Sequence, residues 1–184
     1  MIISPGRNYV FVHIPKTGGT SLALALEERA MKDDMMLGDT PKAVKRRRKL
    51  KGVEARGRLW KHSSLADIEG LVSRADIAQM MAFTLVRNPF DRLVSYYHWL
   101  REQSFEHVAV SVAKREEFGG FLHDPAIVRS MKATPYESYM RDGAGAPREA
   151  LYIRLEHFEA DAAPLWEHLG FELELPRVNT STRE

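Results

Sequence analysis

Residues 9–30 constrain the fold of this chain more than any other stretch. Tyr9-Val10-Phe11-Val12 is a short apolar run, and a buried strand is expected over 9–14. His13-Ile14-Pro15-Lys16-Thr17-Gly18-Gly19-Thr20-Ser21 follows it, and a helix is expected over 20–31. A strand, a glycine-bearing loop with a lysine and hydroxyls, and then a helix start form a cradle for phosphate. Glycines let the backbone approach an anion closely, and the free amides at the helix start point at it. The lysine adds a mobile point charge. Nucleoside-triphosphate loops place Gly-Lys-Ser/Thr four residues after a first glycine. Here Lys16 precedes both Gly18 and Gly19. A glycine turn that binds nothing is the plain alternative. The crowding of Lys16, Thr17, Thr20 and Ser21 around the glycines weighs against it.

A second element strengthens the reading. Ala82-Phe83-Thr84-Leu85-Val86 has strand length and composition and runs into Arg87-Asn88-Pro89-Phe90-Asp91-Arg92-Leu93-Val94-Ser95. Pro89 suits a helix start, where its missing N–H costs little. Asp91 in the first turn suits the helix dipole. Arg87, at the strand end, can present its guanidinium beyond the sheet, and Ser95 adds a hydroxyl two turns later. An arginine fork with a serine is good chemistry for a second phosphate. Taken alone, Arg87 is as well explained by pairing with a carboxylate.

Together the two elements resemble the sulfotransferases that use 3′-phosphoadenosine 5′-phosphosulfate (PAPS), most closely their carbohydrate-type branch in a single-domain, bacterial-style form. The resemblance implies that the loop from Pro15 through Lys16, Thr17, Gly18, Gly19 and Thr20 to Ser21 binds the 5′-phosphosulfate. It implies that Arg87 and Ser95 bind the 3′-phosphate. Weaker likenesses run through Tyr152 to Glu156, Leu169-Gly170-Phe171 and Asn179-Thr180-Ser181. The implied reaction moves a sulfuryl group to an acceptor hydroxyl and leaves adenosine 3′,5′-bisphosphate (PAP), with no metal required. The acceptor class implied is a carbohydrate, an anionic one included.

The chain has 184 residues, room for one sizeable core, and it is read as one domain over 1–184. It has no bilayer-length apolar run and no signal-peptide pattern at Met1 to Arg7. The absence of cysteine fits a reducing compartment, and a cytoplasmic location is expected. The formal charge is only +2, but Lys42, Lys45, Arg46, Arg47, Arg48, Lys49 and Lys51 crowd one segment. A solvated face is the plain reading. Attraction of an anionic acceptor, or of anionic lipid, is the functional one. Nucleic acid is not expected, because no aromatic interleaving or nucleic-acid motif accompanies the run.

Strands alternating with helices argue for an α/β protein: a P-loop-like three-layer fold with a central parallel sheet flanked by helices. Beyond the elements above, a basic connection is expected over 32–57 and a short strand over Arg58 to His62. A helix over Leu65 to Val72 would be capped by Ser63 or Ser64. Strand 82–86 and helix 90–102 follow, then helices over 105–115 and 118–122, a loop at Gly143 to Pro147, strand 151–155 and helix 158–169. Ligands of such sheets lie beyond the carboxyl ends of the strands. That rim would carry Lys16, His62 and Arg87.

Sulfuryl transfer needs the donor held, the leaving phosphate stabilised and the acceptor proton removed. Lys16, with the backbone amides of 17–20, is assigned to the leaving group. His62 is assigned as base, because its place at the rim and its ordinary pKa near 6.5 suit the task. His13 is the runner-up but fits a loop-shaping role better. Glu27, Glu28 and Glu54 remain open, and Lys61 is available to an anionic ligand. Asn179, Ser181 and Arg183 are candidates to close over the nucleotide. Trp60, Tyr96, Tyr97 and Trp99 are read as packing residues, with adenine stacking the alternative. Two other functions stay in view: an ATP-dependent, kinase-like phosphotransferase, and a nucleotide-binding module without catalysis.

Overall fold

The computed structural model describes residues 1–176. Strand β1 (Ile2–Ser4) turns through 5–8 into β2 (Tyr9–Val12), with Asn8 in the left-handed region and its amide donating to the Pro5 carbonyl at 3.1 Å. The phosphate loop and α1 (Gly19–Glu28) follow, then β3 (Met35–Met36), α2 (Pro41–Arg46), α3 (Arg74–Gln79), β4 (Met81–Val86) and α4 (Pro89–Arg101). Next come α5 (Val108–Arg115), α6 (Phe118–His123) and α7 (Pro125–Ala133). Strand β5 (Leu151–Arg154), α8 (Phe158–Asp161) and α9 (Ala163–Leu169) complete the described fold.

The sheet order is β3-β1-β2-β4-β5. Strands β2, β4 and β5 are parallel and form the expected centre, while β1 pairs antiparallel with both β2 and β3 at one side. Side-chain alternation sorts the strands onto two faces. Tyr9, Phe11, Phe83, Leu85 and Ile153 pack with Leu22, Leu26 and Leu165 of the helices on one face. Val10, Val12 and Ala82 pack with Leu65, Ile68 and Ile77 on the other. This is the three-layer arrangement. A third apolar cluster joins α4 to α7 through Tyr97, Leu100, Val110, Phe121 and Ile127.

Three local expectations are corrected. Residues 58–62 form a turn rather than a strand. The Ser63 hydroxyl accepts from the Trp60 amide at 2.9 Å and lies within hydrogen-bonding distance of the Arg58 and Trp60 carbonyls. That closes the backbone on itself instead of on a neighbouring strand. Residues 65–72 start as a helix would, with Ser64 and Asp67 capping each other, but they do not continue. The carbonyls of Asp67 and Glu69 accept from the amides of Gly57 and Arg56 instead of from the next turn. The helix expected over 158–169 is broken at Ala162, because Pro164, in the first turn of α9, has no N–H to continue α8. The tail residues Asn179, Ser181 and Arg183 lie outside the described residues.

Phe83 is fully buried between the Tyr9 and Phe11 rings, at centroid distances of 5.5 and 5.4 Å. Phe83→Ala is expected to lower the unfolding free energy by about 3–5 kcal/mol. Urea denaturation would show this as a lower midpoint at unchanged slope.

Candidate active site

The loop after β2 is held by its own buried parts. Thr17 is fully buried and its hydroxyl donates to the Ile14 carbonyl at 2.8 Å. Its side chain therefore braces the loop, and its amide is the group it offers to a ligand. Lys16 adopts φ +67°, a left-handed conformation that costs a non-glycine residue about 1–2 kcal/mol. That strain is held by Thr17 on one side and by Arg92 on the other, whose Nε donates to the Pro15 carbonyl at 3.1 Å. Gly19 begins α1 against the His13 ring. A Cβ there would lie 2.3 Å from His13 Cδ2. His13 is thus the floor under the helix start, and burial holds its pKa well below the ordinary value.

The start of α1 is prepared for an anion. Its cap, Gly18, offers no side chain, and its first turn carries no acid. Helix geometry leaves the first amides without partners in the helix. Thr20 is exposed beside them and Ser21 is half-buried. The lysine at this point is under electrostatic pressure. Burial lowers the Lys16 pKa, and the nearby Arg87 guanidinium lowers it further. Lys61 acts in the same direction, and Glu102 opposes the shift.

Arg87 sits where β4 ends. The Tyr136 hydroxyl donates to its carbonyl at 2.7 Å and accepts from its amide at 3.4 Å, so the backbone is clamped. The next amide, of Asn88, donates to Glu156 at 2.8 Å, and the Asn88 side chain caps α4. The Arg87 Nε is buried without a hydrogen-bond partner among the described residues. A buried guanidinium nitrogen left open is a rare and costly arrangement. A phosphate oxygen would satisfy it. Ser95 is half-buried on α4, two turns after Arg87. The structure thus brings Lys16 and Arg87 together and leaves both open to an anion.

His62 reaches the same rim from a turn rather than a strand end. Its Nδ1 lies 2.7 Å from the His13 carbonyl, which only accepts. Nδ1 therefore carries the proton and Nε2 keeps its lone pair. The ring packs edge-on against Trp60 and His13 at centroid distances of 5.0 and 4.7 Å. Burial lowers its pKa to about 4, against a raising contribution from the His13 bond, with Lys61 lowering it further. Of the other expected acids, Glu27 accepts from the Thr40 hydroxyl at 2.7 Å and its carbonyl accepts from Lys42. It holds α2 to α1. Lys61 pairs with Asp39 at 2.7 Å.

Part of the basic segment braces the backbone. Arg46 donates to the Met31 carbonyl at 2.6 Å, and Arg47 donates to the Gly38 carbonyl at 3.3 Å. Tyr97 is core. Four residues matter here that the sequence did not point to: Arg92, Tyr136, Glu102 and Glu156. Arg92 and Glu156 lie inside the motifs already quoted. Tyr136 and Glu102 carry no local signal, since only the fold brings them to the site.

A sheet with a parallel centre and a glycine loop leading into a helix at its carboxyl edge defines an α/β protein with a candidate anion site. The chain belongs to the sulfotransferase family, whose model matches residues 1–168. The fold resembles the crystal structure of mouse sulfotransferase SULT7A1 complexed with PAP, with a TM-score of 0.50 and 20% identity. The match covers 94% of this chain and 61% of that one, so the chain spans less than two thirds of that protein's length. No curated protein matches the sequence. No helix among the described residues is long and apolar enough to cross a membrane.

The two histidines give the fold an acid sensitivity. Each has a folded pKa below its unfolded value, so the unfolded chain binds more protons between those values. Stability is then complete above about pH 6.5 and falls as the pH drops. For His62, with its pKa at about 4, the loss by pH 4 is about 3 kcal/mol. Urea titrations at pH 7.5, 6, 5 and 4.5 are expected to show a falling midpoint. His62→Asn should flatten the curve.

Proposed function

We propose that this chain is a PAPS-dependent sulfotransferase whose acceptor is a carbohydrate hydroxyl. The observation that carries the reading is the open pair of cations. Lys16 lies just before a helix start with no side-chain cap, and Arg87 holds beside it a buried Nε that has no partner among the described residues. One phosphate at each fits a nucleotide bearing phosphates at its 5′ and 3′ ends. The family supports the donor, and the carbohydrate-type motif resemblance supports the acceptor. A cysteine-free chain suits a reducing compartment such as the cytoplasm.

When bound, the donor supplies a sulfuryl group already attached to a good phosphate leaving group. Arg87 and Ser95 hold the 3′-phosphate and so fix the register of the nucleotide. Lys16 and the first amides of α1 take up the negative charge that collects on the 5′-phosphate as its bond to sulfur breaks. His62 Nε2 takes the proton of the attacking hydroxyl while the new oxygen–sulfur bond forms. The His13 carbonyl holds the tautomer that leaves Nε2 free for this.

Calorimetry with PAP, and with AMP and magnesium–ATP as controls, tests the donor site. Tighter binding of PAP than of AMP is expected. Arg87→Ala should weaken PAP by roughly 10- to 100-fold, the worth of charge-assisted hydrogen bonds of about 1.5–3 kcal/mol, while leaving AMP nearly unchanged. Preference for magnesium–ATP would sink the reading in favour of phosphotransfer.

His62→Ala should lower kcat by about 10²–10⁴-fold with little change in PAP affinity. The wild-type pH profile should also split. Neutral His62 is the active form, so activity falls on acidification through its pKa. For kcat/KM of the donor, which reports the free enzyme, the acid limb belongs near 4. For kcat, the bound anion favours the imidazolium and moves that limb upward. Coincident limbs would remove His62 from the role.

A further inference from the structure

The exposed aromatic side chains around Lys16 form one surface. Trp99 and Phe105 are 37% and 48% exposed, with ring centroids 6.0 Å apart. Tyr96 stacks on Trp99 at 6.2 Å and 18°, and its other side rests on Phe121 of the α4–α7 cluster. Lys16 Nζ lies 5.3 Å from the Trp99 ring centroid. Arg92, Tyr96 and Trp99 recur at helical spacing on α4, and the first of them donates to Pro15 of the loop. The stripe is therefore fixed against the phosphate loop, and its outer rings stand open beside the reactive lysine. Large rings left in solvent next to a reactive group mark a binding surface. Glu102 caps the same helix, exposed, and its charge reaches Lys16.

We propose that Trp99 and Phe105 are the acceptor platform of this site, that they stack the apolar face of a neutral pyranose ring, and that Glu102 accepts from its hydroxyls. This rests on the sulfotransferase reading above and narrows its substrate class. A pyranose offers a C–H face for the rings and a rim of donors for the carboxylate. A phenol offers one donor, which is the attacking hydroxyl, and leaves Glu102 unused. An anionic sugar would meet Glu102 unfavourably. The basic segment lies on α2 and the residues after it, which pack on the edge strand β3, whereas the ledge is carried by α4 after β4. The platform is an open ledge, which admits a residue within an oligosaccharide as well as at its end.

The test is transfer of labelled sulfate from PAPS to three probes: chito-oligosaccharides (neutral), heparosan (anionic) and 4-nitrophenol (planar phenol). Chito-oligosaccharides are expected to be the best acceptors. Trp99→Ala should raise their KM by tenfold or more and Phe105→Ala by at least threefold, while Trp99→Phe stays within threefold of wild type. The Kd for PAP should remain within twofold in all three variants, which also shows that they are folded. Preference for heparosan or 4-nitrophenol would overturn the proposal. So would a Trp99→Ala defect that appears in PAP affinity instead of acceptor KM, or no transfer to the neutral saccharide by a protein that binds PAP. A wild type that binds no PAP would overturn the sulfotransferase reading itself, and this one with it.

Discussion

Two positive charges held close to each other are the constraint around which the site is built. Lys16 is lowered in pKa by burial and by Arg87, and Arg87 keeps a buried nitrogen open. Left to itself, a loop would relax and let the two cations separate into water. The fold prevents this by fixing the backbone on both sides. Tyr136 clamps Arg87 through both its amide and its carbonyl. Arg92 ties α4 to Pro15 and also stacks on the Tyr136 ring at 4.6 Å. Each of these partners comes from a different element, so the β2–β4 parallel pair, α4 and the 136–140 turn must all be in place before the site exists. The scaffold's stability holds that repulsion in place, an arrangement that an incoming anion would relieve.

The parts of this architecture that were legible in the sequence are those with short-range physics. Strands β2 and β4 read from their apolar runs, and the structure places them over 9–12 and 81–86. The start of α4 read from Pro89 and Asp91, because a missing N–H and an early acid are local helix signals. The antiparallel strands β1 and β3 did not read. Met1-Ile2-Ile3 is too short to declare itself, although the Pro5-Gly6-Arg7-Asn8 turn after it was a visible hairpin signal. Helices α2 and α7 were likewise marked by Thr40-Pro41 and Asp124-Pro125, each a cap followed by a proline at the first turn. Where the reading failed at 58–62 and 65–72, side chains and distant backbone captured groups that a strand or helix would have used. Such capture is a tertiary effect and leaves no periodicity to detect.

The same division holds within the site. Lys16, Gly18, Gly19, Arg87 and Ser95 stood out because anion binding needs those residue types at loop and strand ends. The role of Thr17 changed, because a hydroxyl next to a glycine reads equally as ligand or as loop brace, and only its burial against Ile14 separates the two. Gly19 owes its place to packing as well as to a ligand, since the His13 ring occupies the space of a Cβ. The exposed aromatic ledge was hidden for a different reason. Trp99 and Tyr96 fit a helix core pattern, and the sequence does not tell which ring of the stripe stays in solvent, as Trp99 does.

Burial and neighbouring cations act on the two assigned catalytic groups in the same direction. Lys16 and His62 are both lowered, and Lys61 contributes to each. A polyanionic nucleotide reverses this for both at once, because negative charge favours ammonium and imidazolium alike. Before the donor arrives, His62 is a weak base beside a lysine whose charge is disfavoured. In the proposed donor complex the negative phosphates favour the ammonium of Lys16 and let the imidazole accept a proton more readily. Linkage makes the effect mutual: a proton entering His62 in the transition state strengthens the hold on the donor's phosphates. On the proposed assignment, the anion that carries the sulfuryl group is also what strengthens the base, which would couple proton removal to the presence of something to transfer.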